Sequence, residues 1–365
     1  MDDPEFIFEL RVCRWAERQW PPTGEGRDLA VLVARQLGIR SRRYDTLVFE
    51  CDPAALDARG VFGDDRLESD MLHVLTNAPT SYGYYRDVLP DPGYSWNHVR
   101  ETIHAADDRG LIDTRRDSNR IEIRRRYRYP DWVNRVVAIE NKPDLSASAA
   151  AALADQIERD VALGLADEVW VATEATDDDV TPALYERLPV EAGILAVGET
   201  VDVAWNATAL ATDEPGTRIL DRPDGGEHDL SAARFEYASV AWKREKRRQI
   251  AERAYERGWR SYVDTMRPDC REFELRAPDL PLPYCRAKGR YVTSAECRHA
   301  CGSFTPEPPA WRPEGSPTDG GPCKGDTRPV ARQGGRRCVA SSTSTWLSPR
   351  PHANPDVGPG DLSVA

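Results

Sequence analysis

The apolar residues of the chain follow helical spacing over residues 5–38 and strand spacing soon afterwards. Within the first stretch, the pattern predicts a second helix over 28–37 that ends at Gly38. Residues 44–50 are rich in β-branched and aromatic side chains, and they predict a buried strand that begins near Asp45. The first 50 residues therefore predict an α/β protein.

Residues 65–129 form a unit with a different order of elements. The pattern predicts helices over 65–78, 82–89 and 96–109, followed by strands over 111–115 and 120–126. The turn residues Asp117, Ser118 and Asn119 join the two strands. Three helices followed by a hairpin is the layout of a winged helix, so we expect an inserted winged-helix unit here.

From residue 136 the pattern alternates between strands and helices. Strands are predicted over 136–141, 168–173, 193–197 and 200–205, and helices over 146–163 and 181–188. Such alternation predicts a mixed sheet covered by helices. A long helix is predicted over 232–262. The segment beyond 305 is rich in Pro, Gly and Ser and is predicted to be disordered, or else to be a frameshifted or degenerate tail.

Charge and composition set the expected environment. The net charge is −12, and the 49 basic residues comprise 44 Arg and 5 Lys, a balance typical of salt-adapted haloarchaeal proteins. No apolar run is long enough to cross a membrane, and the acidic start differs from a signal peptide. We therefore expect a cytoplasmic protein that does not bind a membrane, in which the 8 cysteines are thiols or metal ligands.

Glu140 and Lys142 are the most informative residues in the chain. They end an apolar strand, and because side chains two apart on a strand share a face, an acid and a base emerge together. Lysine is rare in this chain, so its presence here indicates a requirement for a compact positive charge. The simpler interpretation is a solvated ion pair, which contributes little to stability.

The hairpin region 115–128 carries a dense positive charge inside an acidic protein. Its arginines are Arg115, Arg116, Arg120, Arg124, Arg125, Arg126 and Arg128. Arginine contacts to phosphates would give affinity for DNA regardless of its sequence, and RNA is not excluded. The alternative is a charged face that balances nearby acids.

Four cysteines lie within 32 residues near the end of the predicted folded region: Cys270, Cys285, Cys297 and Cys301. Closely spaced cysteines are typical of tetrahedral zinc sites, and His299 is an alternative ligand. An iron–sulfur cluster, for which Cys13 would be a more distant ligand, and free thiols remain open as second and third interpretations. We therefore expect a Cys-rich metal module that closes the C-terminal part of the chain.

An acid that opens one strand, Glu-x-Lys on the next and a helix with a glutamine together resemble the PD-(D/E)XK, or restriction-endonuclease-like, nuclease superfamily. The matching positions are Asp45, Glu140 with Lys142, and Gln156. Glu9 would be the additional acid from the first helix, with Glu17 as its alternative. The resemblance implies a mixed sheet flanked by helices, in the order αβββαβ. It also implies Mg²⁺ or Mn²⁺ held by Asp45 and Glu140, with Lys142 orienting the attacking water.

Two features of the chain depart from the usual motif. Some 90 residues separate Asp45 from Glu140, so the unit at 65–129 would be an insertion between the two motif strands, which loop closure tolerates. Asp131, directly after a proline, is a rival for the first acid. We favour Asp45 because it lies in a strand, whereas Asp131 lies in a predicted turn. Taken whole, the chain also resembles an uncharacterised haloarchaeal domain family.

The expected organisation has five parts. These are a first part of the core over 1–64, the winged-helix insertion over 65–129, a second part of the core over 130–210, a basic helix with the Cys-rich module over 232–305, and a tail over 306–365. The expected function is metal-dependent hydrolysis of DNA. The alternatives are a DNA-binding or regulatory protein with an inactive nuclease-like core, and an RNA-processing factor.

Overall fold

The fold is described from a computed structural model. It describes residues 4–306 except for 23, 25–28, 144–146, 176–181, 222–233, 277–281 and 299–300. His299 and all but the first residue of the predicted tail lie outside the described residues.

A six-stranded mixed sheet organises the molecule, in the order β1-β2-β6-β7-β8-β9. Its strands are β1 (Ala30–Ile39), β2 (Arg42–Cys51), β6 (Val133–Asn141), β7 (Glu168–Glu174), β8 (Gly193–Val197) and β9 (Val201–Trp205). The pairs β1–β2 and β2–β6 are antiparallel, the pairs β6–β7 and β7–β8 are parallel, and β9 returns antiparallel to β8. The prediction of a mixed sheet is confirmed.

Helices cover both faces of this sheet. The helices that flank it are α1 (Pro4–Gln19), α6 (Ala147–Leu163), α7 (Pro182–Arg187) and α8 (Val240–Arg257). On one face, Phe8 and Val12 of α1 share a core with Val48, Val137 and other sheet residues. On the opposite face, residues of α6 and α8 share a second core with Leu47 and Ala138. The sheet is therefore the middle layer of three.

The first strand corrects the prediction of a helix over 28–37. Residues 30–39 pair with β2 along their length. Because both faces of β1 are covered, apolar side chains point both ways: Val33 joins one core, and Ala30, Ala34 and Leu37 join the other. The resulting buried positions fall at three- and four-residue intervals, which mimics a helix.

A separate unit lies between β2 and β6. Its elements are α2 (Pro53–Gly60), α3 (Ser69–Asn77), β3 (Gly83–Tyr84), α4 (Tyr85–Val88), α5 (Trp96–Asp108), β4 (Ile112–Asp117) and β5 (Arg120–Arg125). The strands form a three-stranded sheet in the order β3-β5-β4. The backbone N–H of Asp52 donates to the carbonyl of Trp132 (3.1 Å), so the chain leaves the large sheet and returns to it at adjacent points.

Two predicted helices are shorter in the structure. The segment 82–89 divides into the strand β3 and the four-residue helix α4. The helix predicted over 232–262 begins only at Val240, capped by the Ser239 hydroxyl, because the residues before it form β11 (Arg234–Ala238) with β10 (Gly216–Asp221). It ends at Arg257, because Gly258 takes a positive φ of 60° that a helix cannot continue.

The last described residues form a small sheet on α1's side of the large sheet. A 3₁₀ helix, Trp259–Thr265, leads into β12 (Phe273–Arg276), β13 (Leu282–Cys285) and β14 (Arg290–Tyr291). Trp259, Tyr262 and Phe273 join the core that α1 forms.

Candidate active site and accessory surfaces

Asp45 and Glu140 lie on neighbouring strands despite the residues between them. β2 and β6 are antiparallel with Thr46 opposite Ile139, which brings Asp45 beside Glu140. The backbone N–H of Asn141 donates to Asp45 Oδ2 at 3.1 Å. The expected adjacency of the two motif strands is therefore confirmed, and the insertion does not separate them.

Glu140 is buried and lies beside a second carboxylate. Its side chain is only 3% exposed. Burial, followed by the Asp45 carboxylate, raises the pKa of Glu140 to about 8, against the opposing effect of Arg42. Two carboxyl groups this close do not readily ionise together without an additional cation.

The first helix supplies a third acid, and it is Glu9. The Gln36 side-chain amide donates to Glu9 Oε1 at 2.8 Å and to Asp45 Oδ1 at 3.1 Å, so one amide joins the two carboxylates. Burial raises the pKa of Glu9, although Arg35 opposes this. Glu17, the alternative, instead binds Arg260 at 2.5 Å and the Trp259 indole at 3.1 Å. Glu9 therefore belongs to the cluster and Glu17 does not.

Arg42 and Asp160 belong to the cluster and were missed in the sequence. Arg42 makes an ion pair with Glu140, and its Nε donates to Asp160 Oδ1 at 2.8 Å. Asp160 lies on α6 and is 2% exposed. The sequence position of Asp160 could have indicated its role. Asp160 follows Ile157 by three residues, which places an acid on the apolar face of α6.

Lys142 lies at the rim of the cluster. Its Nζ donates to Glu5 Oε1 at 2.6 Å, and its side chain is 33% exposed. Burial lowers the pKa of Lys142, but the carboxylates of Glu5, Asp45 and Glu140 outweigh burial and raise it overall. The ammonium is therefore charged and is held by a partner that is itself half exposed.

Two other sequence candidates lie apart. Among the described residues, Gln156 forms no hydrogen bond to any member of the cluster; the contact from α6 comes from Asp160 through Arg42. Asp131 precedes β6, is 85% exposed and lies 4.0 Å from Arg248. The preference for Asp45 over Asp131 agrees with this placement.

The arginines of β4, β5 and the adjoining loop divide into two groups. Arg115 pairs with Glu122, while Arg124 and Arg126 both pair with Asp113. Arg115 and Arg124 also stack on Tyr82, at 4.3 and 4.8 Å from the ring centre. The others have no carboxylate partner among the described residues: Arg116, Arg120, Arg125 and Arg128. Nearby acids thus neutralise only part of this surface.

A second basic surface lines a cleft of about 660 Å³ beside the β1–β2 turn. The turn residues Gly38–Ser41, the insertion and α8 enclose it. Its charged residues are Arg40, Arg66, Arg218, Lys246 and Arg253 against Glu68. Arg42, which contacts the carboxylate cluster, directly follows this turn in the sequence. The turn therefore connects the cleft to the cluster along the chain.

The four C-terminal cysteines line one small cavity in the small sheet. None of the four forms a disulfide, and neither does Cys13 on α1 or Cys51 on β2. Cys13 Sγ contacts the Thr46 hydroxyl at 3.3 Å and lies in the core beneath α1. Over the described residues, no three His, Cys, Asp or Glu side chains already form a group that could hold a metal ion.

These features define a mixed α/β protein with an acidic cluster at the end of two central strands. The chain belongs to a family of unknown function (DUF5787), whose sequence profile matches residues 32–306. No curated protein and no solved structure matches the chain. None of the described helices is long and apolar enough to cross a membrane.

Proposed function

We propose that this protein is a Mg²⁺- or Mn²⁺-dependent nuclease of the PD-(D/E)XK type that hydrolyses DNA. One observation carries the proposal: Asp45 and Glu140 lie side by side on neighbouring strands, where burial and Asp45 raise the pKa of Glu140 to about 8, with Lys142 two residues away. A buried acid whose pKa is strongly raised beside a second carboxylate is typical of functional sites.

The order of elements supports the proposed class. The chain runs α1, then the antiparallel strands β1, β2 and β6, then α6 and the parallel strand β7. This is the αβββαβ order that the resemblance implies, with the two motif acids on its second and third strands. β8 and β9 extend the sheet beyond that core.

The ligand set fits Mg²⁺ better than a metal that needs many protein ligands. Mg²⁺ keeps several waters and is commonly held by one or two carboxylates together with substrate phosphates. Asp45 and Glu140 would hold the ion, with Glu9 within reach through Gln36. Two carboxylates also agree with the absence of a complete ligand group among the described residues. A bound metal would lower the pKa of a water and neutralise charge that develops on the phosphate.

The protein's own groups would position the reaction. Lys142 would leave its half-exposed partner Glu5, an exchange that costs little because exposed ion pairs are weak. Its ammonium would then orient the attacking water and stabilise the oxyanion. Asp45 is held from two sides, by Asn141 N–H and by the Gln36 amide, which fixes the carboxylate for this purpose.

The insertion would bind the DNA. The order α3, β3, α4, α5, β4, β5 and the strand order β3-β5-β4 support a winged-helix unit with a hairpin wing. The arginines without carboxylate partners extend from the hairpin to Arg128, and Arg116 and Arg120 are exposed near its tip. The basic cleft beside Arg42 offers a second phosphate-binding surface nearer to the carboxylates.

A second function has a specific observation in its favour. Arg42 already neutralises Glu140 and Asp160, as a structural ion network would. This arrangement favours a DNA-binding or regulatory protein whose nuclease-like core does not cleave.

Cleavage of plasmid DNA tests the first proposal against the second. Purified protein is incubated with plasmid and Mg²⁺ or Mn²⁺ in high salt, beside Glu140→Gln and Lys142→Ala. The matched control is Asp131→Asn, a change at an exposed acid outside the cluster. Wild type and control should cleave, and each site variant should be slower by about 10²–10³-fold. Binding without cleavage by wild type would support the regulator, and cleavage of RNA alone would support the processing factor.

A further inference from the structure

Four cysteines from separate turns of the small sheet meet around one small cavity. Cys270, Cys285, Cys297 and Cys301 line a cavity of about 10 Å³ beneath the small sheet. The first three are 6–8% exposed, and Cys301 is half-buried. The rest of the lining includes Phe273, Val292 and Phe304. Nothing in the acidic cluster uses these thiols.

Each cysteine is placed by a tight local turn. Gly289 N–H donates to the Cys285 carbonyl at 2.9 Å, and Gly289 closes that turn at a φ of 68°. The backbone N–H of Cys297 donates to the Thr293 carbonyl at 3.1 Å, and that of Cys301 to the Arg298 carbonyl at 3.0 Å. Turns of this kind hold a short side chain in a fixed direction, as metal-binding loops require.

A backbone donor and two cations lie beside the sulfurs. The Thr305 backbone N–H donates to Cys270 Sγ at 3.4 Å, and such donors stabilise a ligand sulfur. Arg267 and Lys288 also line the cavity and add two positive charges beside the sulfurs. None of the four cysteines forms a disulfide.

The small sheet also needs an additional source of stability. β12, β13 and β14 contain 4, 4 and 2 residues, respectively. Strands this short bury little apolar area of their own, and small units of this kind commonly depend on disulfides or a bound metal.

We propose that Cys270, Cys285, Cys297 and Cys301 bind one zinc ion that joins the turns of the small sheet. The cavity suits a single ion, because a space of about 10 Å³ holds about one water-sized sphere and not a cluster of several iron and sulfur atoms. The thiols are not yet gathered as a complete ligand group. Zinc binding draws them inward, and the thiol protons are released to solvent. This site is independent of the proposed nuclease activity.

Metal content tests the zinc site without reference to cleavage. The full chain is purified after growth with zinc and iron, and its metals are measured by mass spectrometry. About one zinc per chain is expected. Cys285→Ser and Cys297→Ser should each reduce zinc at least about tenfold, whereas the matched control Cys51→Ser, a buried cysteine on β2, should retain it.

A spectroscopic measurement covers the outcome in which the serine variants fail to fold. Zinc is exchanged for Co²⁺ in the wild-type protein, and the visible spectrum is recorded. Strong bands of tetrahedral cobalt bound by thiolates support the site. Iron with iron–sulfur absorbance, or a wild-type chain that binds neither zinc nor cobalt, would overturn it.

Discussion

Arg42 carries the charge balance of the acidic cluster. It is the cation that contacts both Glu140 and Asp160, two acids that are 2% exposed. A buried acid that loses its partner is strongly unfavourable, because the protein interior solvates charge poorly. If a metal binds as proposed, the same contact makes Arg42 the residue that must move or share Glu140.

Replacing Arg42 by methionine should destabilise the fold by about 3 kcal/mol, because Glu140 and Asp160 would remain buried without a cation. The matched control is Arg43→Met, an exposed neighbour on the same strand, which should change stability by less than about 0.5 kcal/mol. Denaturant unfolding at fixed salt measures both variants. Equal midpoints for the two would contradict the role given to Arg42.

His73 on α3 should make stability depend on pH. Burial lowers the pKa of His73 from 6.5, although Glu245 and Asp70 oppose it, and its Nε2 has no hydrogen-bond partner among the described residues. The folded state therefore disfavours the charged ring. This contribution to stability is fully present above pH 6.5 and is lost as the pH falls through the lower folded value.

His73→Gln removes that titration. The unfolding free energy of wild type should fall relative to the variant below pH 6.5 and should keep a constant difference above about pH 7. Unfolding curves for both proteins from pH 5 to 8 provide the measurement. If the difference in unfolding free energy between wild type and variant stayed constant from pH 5 to 8, it would contradict a folded state that disfavours the charged imidazole.

At the scale of elements, the sequence predicted the strands that lie deep in the sheet. β6 and β7 are short apolar runs between clear boundaries, so their pattern allows little else. The prediction of a helix where β1 lies was wrong, because the buried positions on the two faces of this strand reproduce helical spacing. The helix predicted from 232 was wrong at its start because Arg234–Ala238 pairs with the preceding strand β10, a contact that local propensity does not encode.

The candidate site was predictable only in part for a similar reason. Asp45, Glu140 and Lys142 follow from strand position and spacing. Arg42 and Asp160 come together only through the packing of α6 against the sheet, at a sequence separation of 118 residues. Gln36 reaches the cluster from a positive φ of 53°, which no local pattern indicates for a glutamine.

The hairpin of β4 and β5 should determine how strongly DNA binding depends on salt. Arg116→Ala combined with Arg120→Ala removes two exposed cations near its tip. The slope of log affinity against log salt should fall by about 2, because each lost phosphate contact contributes about 0.9. Fluorescence anisotropy with duplex DNA at several salt concentrations measures it.

The matched control for the hairpin is Arg18→Ala with Arg187→Ala. These arginines are exposed on α1 and α7, outside the insertion. Their removal changes the net charge by the same amount and should leave the slope near its wild-type value. If both pairs reduced the slope to the same extent, binding would reflect overall charge rather than the hairpin.

At the scale of the whole molecule, a buried ion pair fastens the insertion to α8. Arg59 and Glu252 are at most 1% exposed, and Arg59 Nε donates to Glu252 Oε1 at 2.7 Å. Tyr129 OH and Leu67 N–H also donate to Glu252, at 2.6 and 3.1 Å. This carboxylate therefore connects three parts of the insertion region with the last long helix.

Glu252→Gln should destabilise the protein by about 3–5 kcal/mol, because Arg59 would remain buried without its counter-charge. The matched control is Glu256→Gln on the same helix, whose pairing with Arg66 at 3.8 Å is more exposed and contributes less than about 1 kcal/mol. Thermal unfolding followed by circular dichroism compares them. A Glu252 variant as stable as the control would show that the insertion does not depend on this contact.

Because the hydrogen bond between Asp52 and Trp132 holds the two ends of the insertion together, another unit could be grafted in its place. Because the chain crosses out of and back into the sheet at paired positions, about 5 Å apart, any compact unit with adjacent termini can replace the insertion without shifting the register of β2 on β6. The side of the insertion that packs on α8 limits such a replacement. A replacement unit would leave the Glu252 carboxylate buried in an apolar environment without its partners. A transplant that also converts this acid to a neutral residue would leave Asp45 and Glu140 on their neighbouring strands.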